Sequence, residues 1–155
     1  MANIVPMTKE YARLISLWKY EGKYSFYNQS EGNIEGYMDG THFSYTNEDG
    51  KLIGYFCFGK EARIPTVEED IYDDDFLDIG LGLRPDMCGR QIGLAFFNDG
   101  LDYAQRVFNT KKFRLSVAVF NERAIKVYIK AGFCVTQEVT NSYFKNKFFI
   151  MNCIR

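Results

Sequence analysis

Asn121-Glu122-Arg123-Ala124-Ile125-Lys126-Val127-Tyr128-Ile129-Lys130-Ala131-Gly132-Phe133 reads as one helix with both ends written into it. Asn121 is an N-cap residue, and the helix runs to about Ala131. Gly132 stands where a left-handed residue ends a helix, and Phe133 supplies the accompanying apolar contact. Working outward, Phe113–Phe120 is a strand, and Ile92–Phe108 keeps helical spacing through Gly93, Phe96, Phe97, Leu101, Ala104 and Phe108, with Asn109 able to end it. Before it come an apolar strand, Phe76–Leu83, and a loop, Arg84–Gln91. A helix N-terminus offers unpaired N–H groups and partial positive charge, which suits phosphate. Gly89 and Gly93 allow close backbone approach, and Arg90 can add a cation.

The Asn-to-Phe stretch has the form N-x-x-A-x-x-x-Y-x-x-x-G-F, and together with the preceding loop it resembles the GNAT superfamily of N-acetyltransferases. The resemblance is strongest from Phe76 to Phe133. It implies an α/β (mixed α+β) fold with a central mixed, twisted sheet of about six or seven strands and helices on both faces. Two parallel strands, Phe76–Leu83 and Phe113–Phe120, would splay apart around acetyl-CoA. By the same resemblance, backbone groups of Leu81 and Leu83 pair with pantetheine, and the segment Cys88, Gly89, Arg90, Gln91, Ile92 and Gly93 holds the pyrophosphate. Asn121 contacts the pantetheine arm, and Tyr128 sits near the thioester sulfur. Read from the residues alone, Asn121 is an N-cap and Tyr128 a core aromatic, so both alternatives stand. The family's R/Q-x-x-G-x-G pattern is altered at two places: Cys88 replaces Arg or Gln, and Gln91 replaces the first motif glycine, where its side chain either crowds the phosphates or donates to them.

The rest of the chain supports one domain over residues 1–155. Asn3–Met7 reads as a short strand, and Thr8 as the N-cap of a helix bearing Tyr11, Leu14, Ile15 and Trp18. His42–Thr46 and Leu52–Phe58 form a hairpin through Asn47-Glu48-Asp49-Gly50. Phe133–Thr140 and Phe148–Ile154 are two further strands. Between Glu21 and Gly40, the residues Tyr24, Phe26 and Tyr27 suit a short helix or a pocket wall, and Gly32, Gly36 and Gly40 mark breaks. His42, the only histidine, reads as structural because nothing near it in sequence orients it.

Other chemistries are excluded or left without support. Gly54–Lys60 spells G-x-x-x-x-G-K, but Glu61 follows where a P-loop needs Ser or Thr, and Tyr55, Phe56, Cys57 and Phe58 form a strand. Gly80-Leu81-Gly82 lacks the third glycine of a dinucleotide fingerprint, and Pro85 falls where its helix should run. The net charge of −1 without a basic stripe argues against nucleic acid. No apolar run reaches the roughly 18 residues of a membrane span, so a soluble, cytoplasmic protein without membrane partners is expected. The 4 Cys, at 57, 88, 134 and 153, form no C-x-x-C pair, which points away from a metal site or disulfide framework. Asn28-Gln29-Ser30 spells a glycosylation acceptor only by chance.

The expected activity is direct attack of an amine, from a small molecule or a peptide, on the thioester of acetyl-CoA, with no metal. An N–H near Leu83 would stabilise the oxyanion. A lysine-like amine is neutral in only roughly 0.04% of molecules at pH 7, so a base is useful. Asp78, inside an otherwise apolar strand, is the expected base, with an aspartate satisfied by backbone donors as the alternative. Ser116 stands where some family members carry a carboxylate. A non-catalytic acyl-CoA-binding domain is the competing reading, and an antibiotic- or polyamine-modifying enzyme that attracts cations through the acidic Glu68–Asp75 stretch is a third. The oligomeric state is open, a homodimer included.

Overall fold

The computed structural model describes residues 3–29 and 34–155. Its strands are β1 (Asn3–Pro6), β2 (His42–Thr46), β3 (Leu52–Phe58), β4 (Leu77–Leu83), β5 (Lys112–Ala118), β6 (Cys134–Thr140) and β7 (Lys147–Ile154), and its helices are α1 (Lys9–Ser16), α2 (Gly93–Phe108) and α3 (Glu122–Lys130). The fold is mixed α/β with a mostly antiparallel sheet, in the order β1-β2-β3-β4-β5-β7-β6. The chain clusters into two compact units, one of residues up to Cys57 with Leu81–Ile92, the other of Phe58–Gly80 with Gly93–Arg155. Strand β4 passes from the second unit to the first within its own length.

In the first unit, β1 pairs with β2 and β2 with β3, all antiparallel. The hairpin turn is held by Asn47, whose side-chain oxygen accepts from the N–H groups of Asp49 (3.0 Å) and Lys51 (2.9 Å), while Gly50 takes φ 77°. Thr8 caps α1 as expected, accepting from the Tyr11 N–H at 3.1 Å. The helix is shorter than the sequence suggests. Helix α1 ends at Ser16, before Trp18, where the Leu17 and Trp18 N–H groups turn to the Leu14 and Ile15 carbonyls at 3.1 and 3.0 Å; Ser16 Oγ donates to the Arg13 carbonyl at 2.7 Å. Ala12 and Ile15 are buried, whereas Leu14 is exposed.

The uncertain segment after α1 forms two 3₁₀ turns, Gly22–Tyr27 and Glu35–Met38. Tyr24, Phe26 and Tyr27 lie on the first. Gly36 is inside the second and Gly40 follows it with φ 85°. Gly32, and Ser30 of the Asn28-Gln29-Ser30 triplet, lie outside the described residues. One glycine in this unit is fixed by packing: a Cβ on Gly82 would fall inside the Tyr55 ring.

In the second unit, β4 meets β5 in a parallel ladder of two rungs, Leu77↔Phe113 and Asp78↔Arg114. Strand β5 continues along β7 from Lys112↔Ile154 to Ala118↔Phe148, and β6 closes the other side of β7. Consecutive residues Phe113, Arg114 and Leu115 are all buried, so both faces of β5 are covered at that point. Helix α3 has the ends read from sequence. Asn121 Oδ1 accepts from the Ala124 N–H at 3.3 Å, Gly132 takes φ 103°, and the Phe133 N–H reaches back to the Tyr128 carbonyl at 3.0 Å. Asn109 ends α2 with φ 51°.

Candidate functional site

The second half of β4 differs from the first. Asp78 and Ile79 are buried, while Gly80, Leu81, Gly82 and Leu83 all stay partly accessible along the strand. The loop that follows is pinned at its start: Arg84 reaches Asp86 at 2.6 Å and donates to the Leu52 carbonyl at 2.9 Å, and its own N–H donates to the Ile53 carbonyl at 2.8 Å. The Cys88 thiol turns back to the carbonyls of Leu83 and Arg84, at 3.8 and 3.7 Å. Arg90 is exposed and hydrogen-bonds to no described residue, and Ile92 is half-buried at the loop's end.

Two residues of the loop take left-handed backbone, Gly89 at φ 76° and Gln91 at φ 61°. Alternation of this kind turns successive N–H groups toward one side, a concavity suited to anions. Gly93 opens α2, where a Cβ would sit 3.2 Å from a Val127 methyl, so the helix start is packed close against α3. Gln91 thus occupies the family's glycine position and also the glycine conformation, which a side chain adopts at a cost.

Asp78, the expected base, is held by ion pairs. Its carboxylate accepts from Arg114 Nε (2.7 Å) and a terminal guanidinium nitrogen of Arg114 (2.8 Å), and from Arg63 Nε (2.8 Å). It is 2% exposed, and its partners are guanidinium groups instead of the backbone donors considered from sequence. The cluster extends into the acidic stretch. Arg114 also binds the Asp73 carbonyl and carboxylate, and Arg63 pairs with Asp74 at 3.3 Å. Tyr72 packs under both guanidiniums, with centroid distances of 5.2 Å to Arg63 and 4.9 Å to Arg114, and its hydroxyl meets Ser116 Oγ at 2.6 Å. Glu68 accepts from the Thr140 N–H, a bond that holds its carboxyl below the ordinary range. Glu68, Asp73 and Asp74 thus bond to the rest of the fold, while Glu69, Asp70, Asp73, Asp74 and Asp75 all remain exposed.

Tyr128 is 8% exposed, its ring 4.9 Å from Phe97 and 6.4 Å from Phe133 between centroids. Asn121 is the N-cap of α3, as above. In the first unit, Tyr20 donates its hydroxyl to the Leu83 carbonyl at 2.8 Å. A cavity of about 770 Å³ lined by Asp102, Gln105, Arg106 and Arg155 holds none of the expected site residues. Among the described residues no group of three or more His, Cys, Asp or Glu could hold a metal ion, and no helix is long and apolar enough to cross a membrane.

What the sequence reading missed is the setting of His42. Asp39, three residues earlier and carried there by the Glu35–Met38 turn, accepts from His42 Nδ1 at 2.9 Å and from the Thr41 hydroxyl at 2.7 Å. Burial is the largest influence on Asp39 and pushes its carboxyl up, but the bonds from His42 and Thr41 outweigh it and bring the pKa down to about 2. An Asp three residues before a His at a strand start was the available signal.

The model of the family described as acetyltransferase (GNAT) matches residues 8–133. The chain belongs to the acetyltransferase (GNAT) family. No curated protein sequence matches it at a significant level. Among solved structures, a chimera of the spermidine N-acetyltransferase SpeG from Vibrio cholerae with hSSAT is 18% identical, with a TM-score of 0.76 over 99% of this chain and 95% of that one. The spermidine/spermine N-acetyltransferase SpeG from Vibrio cholerae in complex with manganese ions is 17% identical, with a TM-score of 0.70 over 99% and 92%. At these identities the likeness is one of fold, and this GNAT chain shares it over nearly its whole length.

Two outcomes follow from this geometry. Asp78→Asn removes the carboxylate that compensates the buried Arg114 guanidinium and that of Arg63, and should cost about 3–5 kcal/mol of stability, read by urea denaturation; a variant as stable as wild type would remove the structural role. Gln91→Gly should raise stability by about 0.5–1 kcal/mol, because relief of left-handed backbone exceeds the entropy glycine adds to the unfolded chain.

Proposed function

We propose that this GNAT protein transfers the acetyl group of acetyl-CoA to a small-molecule amine by direct attack on the thioester. The observation that carries the reading is the two-rung β4–β5 ladder, after which Gly80–Leu83 run on partly accessible into the Gly89–Gly93 loop and the start of α2. A strand with available backbone followed by an anion-binding helix start matches the two ends of a pantetheine–pyrophosphate chain. In this reading Leu81 and Leu83 hold the pantetheine by main chain, and N–H groups from Gly89 to Gly93, with Arg90, hold the phosphates. The Leu83 N–H is the oxyanion donor. The Leu83 carbonyl already accepts from Tyr20, which fixes the orientation of that peptide. Acetyl-CoA supplies the activated acyl group; the chain binds it, orients it and manages protons.

Asn121 and Tyr128 complete the proposal, by resemblance to the family. Asn121 Oδ1 makes the cap bond of α3, and by the same resemblance this residue is the one proposed to contact the pantetheine. Tyr128 is held by its ring in the core, a placement that suits a proton donor whose position must not vary. The names of the similar structures favour a small amine such as a polyamine over a protein as acceptor.

Acetyl-CoA and desulfo-CoA should both raise the melting temperature. Wild type should release CoA with at least one amine from a panel of spermidine, an aminoglycoside, a lysine peptide and a free amino acid. Binding without turnover would indicate an acyl-CoA-binding domain, and no thermal shift at millimolar ligand would remove the assignment. Tyr128→Phe keeps the ring contacts, so acetyl-CoA affinity should stay within about twofold while kcat falls roughly 10²- to 10⁴-fold when chemistry limits the rate.

A further inference from the structure

We propose that His42, oriented by Asp39, is the general base that takes the proton from the acceptor ammonium, and that the aromatic rings around it form the acceptor's wall. The inference rests on the acetyltransferase reading above, and it assigns to His42 the task that the Asp78 ion pairs leave unfilled.

The argument stays within one compact unit. His42 begins β2, and its side chain is 14% exposed. Its Nδ1 lies 2.9 Å from Asp39 Oδ1 and 3.3 Å from Thr41 Oγ1. A carboxylate can only accept, so the ring proton sits on Nδ1 and the lone pair on Nε2. Nε2 hydrogen-bonds to no described residue. A histidine whose one nitrogen is fixed by a carboxylate while the other is open is set up to accept a proton.

Its neighbours lead to the proposed reaction centre. The Tyr37 ring stands edge-on at 5.4 Å between centroids, and Tyr55 lies at 6.3 Å. The Tyr55 ring covers Gly82, the residue before Leu83, and Tyr20 bonds the Leu83 carbonyl. Only glycine at 82 lets that ring approach the strand. Trp18 adds a further ring 6.1 Å from Tyr55. Faces of this kind attract an ammonium as it loses water. The titratable groups facing His42 are Asp39, Tyr37, Tyr55 and Cys57, its cross-strand partner. Burial holds the Tyr55 phenol well above its ordinary value, so it remains a donor, to Tyr37, and does not compete for the proton.

The step balances. His42 Nε2 takes one proton from the ammonium, and the electron pair left on nitrogen forms the bond to the acyl carbon. The carbon–sulfur bond breaks with its pair on sulfur. The second proton lost by nitrogen ends on sulfur, so the products are the amide, the CoA thiol and one proton that His42 returns to solvent. Asp39 acts as a positioning residue.

The test uses the panel amine with the fastest wild-type turnover. His42→Gln should lower kcat/KM roughly 10²- to 10⁴-fold at pH 7, with the melting shift by acetyl-CoA unchanged. The deficit should shrink as pH rises toward the acceptor's own pKa, about 10.4 for a lysine-like amine, and added imidazole should restore part of the rate. Asp39→Asn should lose roughly 10- to 100-fold, the range for a residue that orients a ligand or base, and should keep the limb of the pH profile that a titrating imidazole gives, whereas the rate of His42→Gln should follow the acceptor's own ionisation alone. His42→Asn serves as a second variant if His42→Gln does not fold. Turnover within threefold of wild type, or an equal loss at every pH without imidazole rescue, would overturn the proposal while leaving the acetyltransferase reading intact. Wild type that binds acetyl-CoA but acetylates no amine would overturn both.

Discussion

The ion pair on the last rung of the β4–β5 ladder is the constraint around which this protein is organised. Asp78 and Arg114 are register partners there, both about 2% exposed, and Arg63 adds a second guanidinium to the same carboxylate. Burying such charges is expensive unless geometry and additional hydrogen bonds compensate. Here they do, since Arg114 also reaches the carbonyl and carboxylate of Asp73, and Tyr72 supplies an aromatic face to both guanidiniums. The cluster joins two strands to the loop that precedes β4. It therefore anchors the fixed end of the strand whose other end carries the accessible backbone.

Beyond that anchor the demands on β4 change. Asp78 and Ile79 are buried, and the trailing half stays partly accessible, with glycine at 80 and 82. Gly82 admits the Tyr55 ring, and the Arg84 bonds to Asp86 and Leu52 fix where the strand stops and the loop begins. The loop then reaches the α2 start through left-handed residues. Gln91 accepts this conformation in place of glycine, at a cost in backbone strain.

His42 illustrates how position creates chemistry. Isolated in sequence, an imidazole at a strand start has no stated task. Beside Asp39 it has a defined tautomer, an open nitrogen and ring neighbours that extend to β4. Asp78 shows the converse. An acid inside an apolar strand attracts a catalytic reading, and in the fold Arg63 and Arg114 hold its carboxylate.

Sequence alone determined the local elements and the family. Helix α3 was legible from Asn121 to Phe133 because capping and termination depend on residues a few positions apart, and the β2–β3 hairpin was legible because Asn47 and Gly50 carry its turn chemistry. The glycine-bearing loop before α2 was legible for the same reason. Contacts between residues distant in sequence were not. Arg63, Asp78 and Arg114 are separated by up to 51 positions, and no local propensity links them. The arginines that pair with Asp73 and Asp74 likewise come from elsewhere in the chain. Which carboxylate is locked and which histidine nitrogen is open depends on distance and burial, and these arise only when strands and turns are brought together by packing.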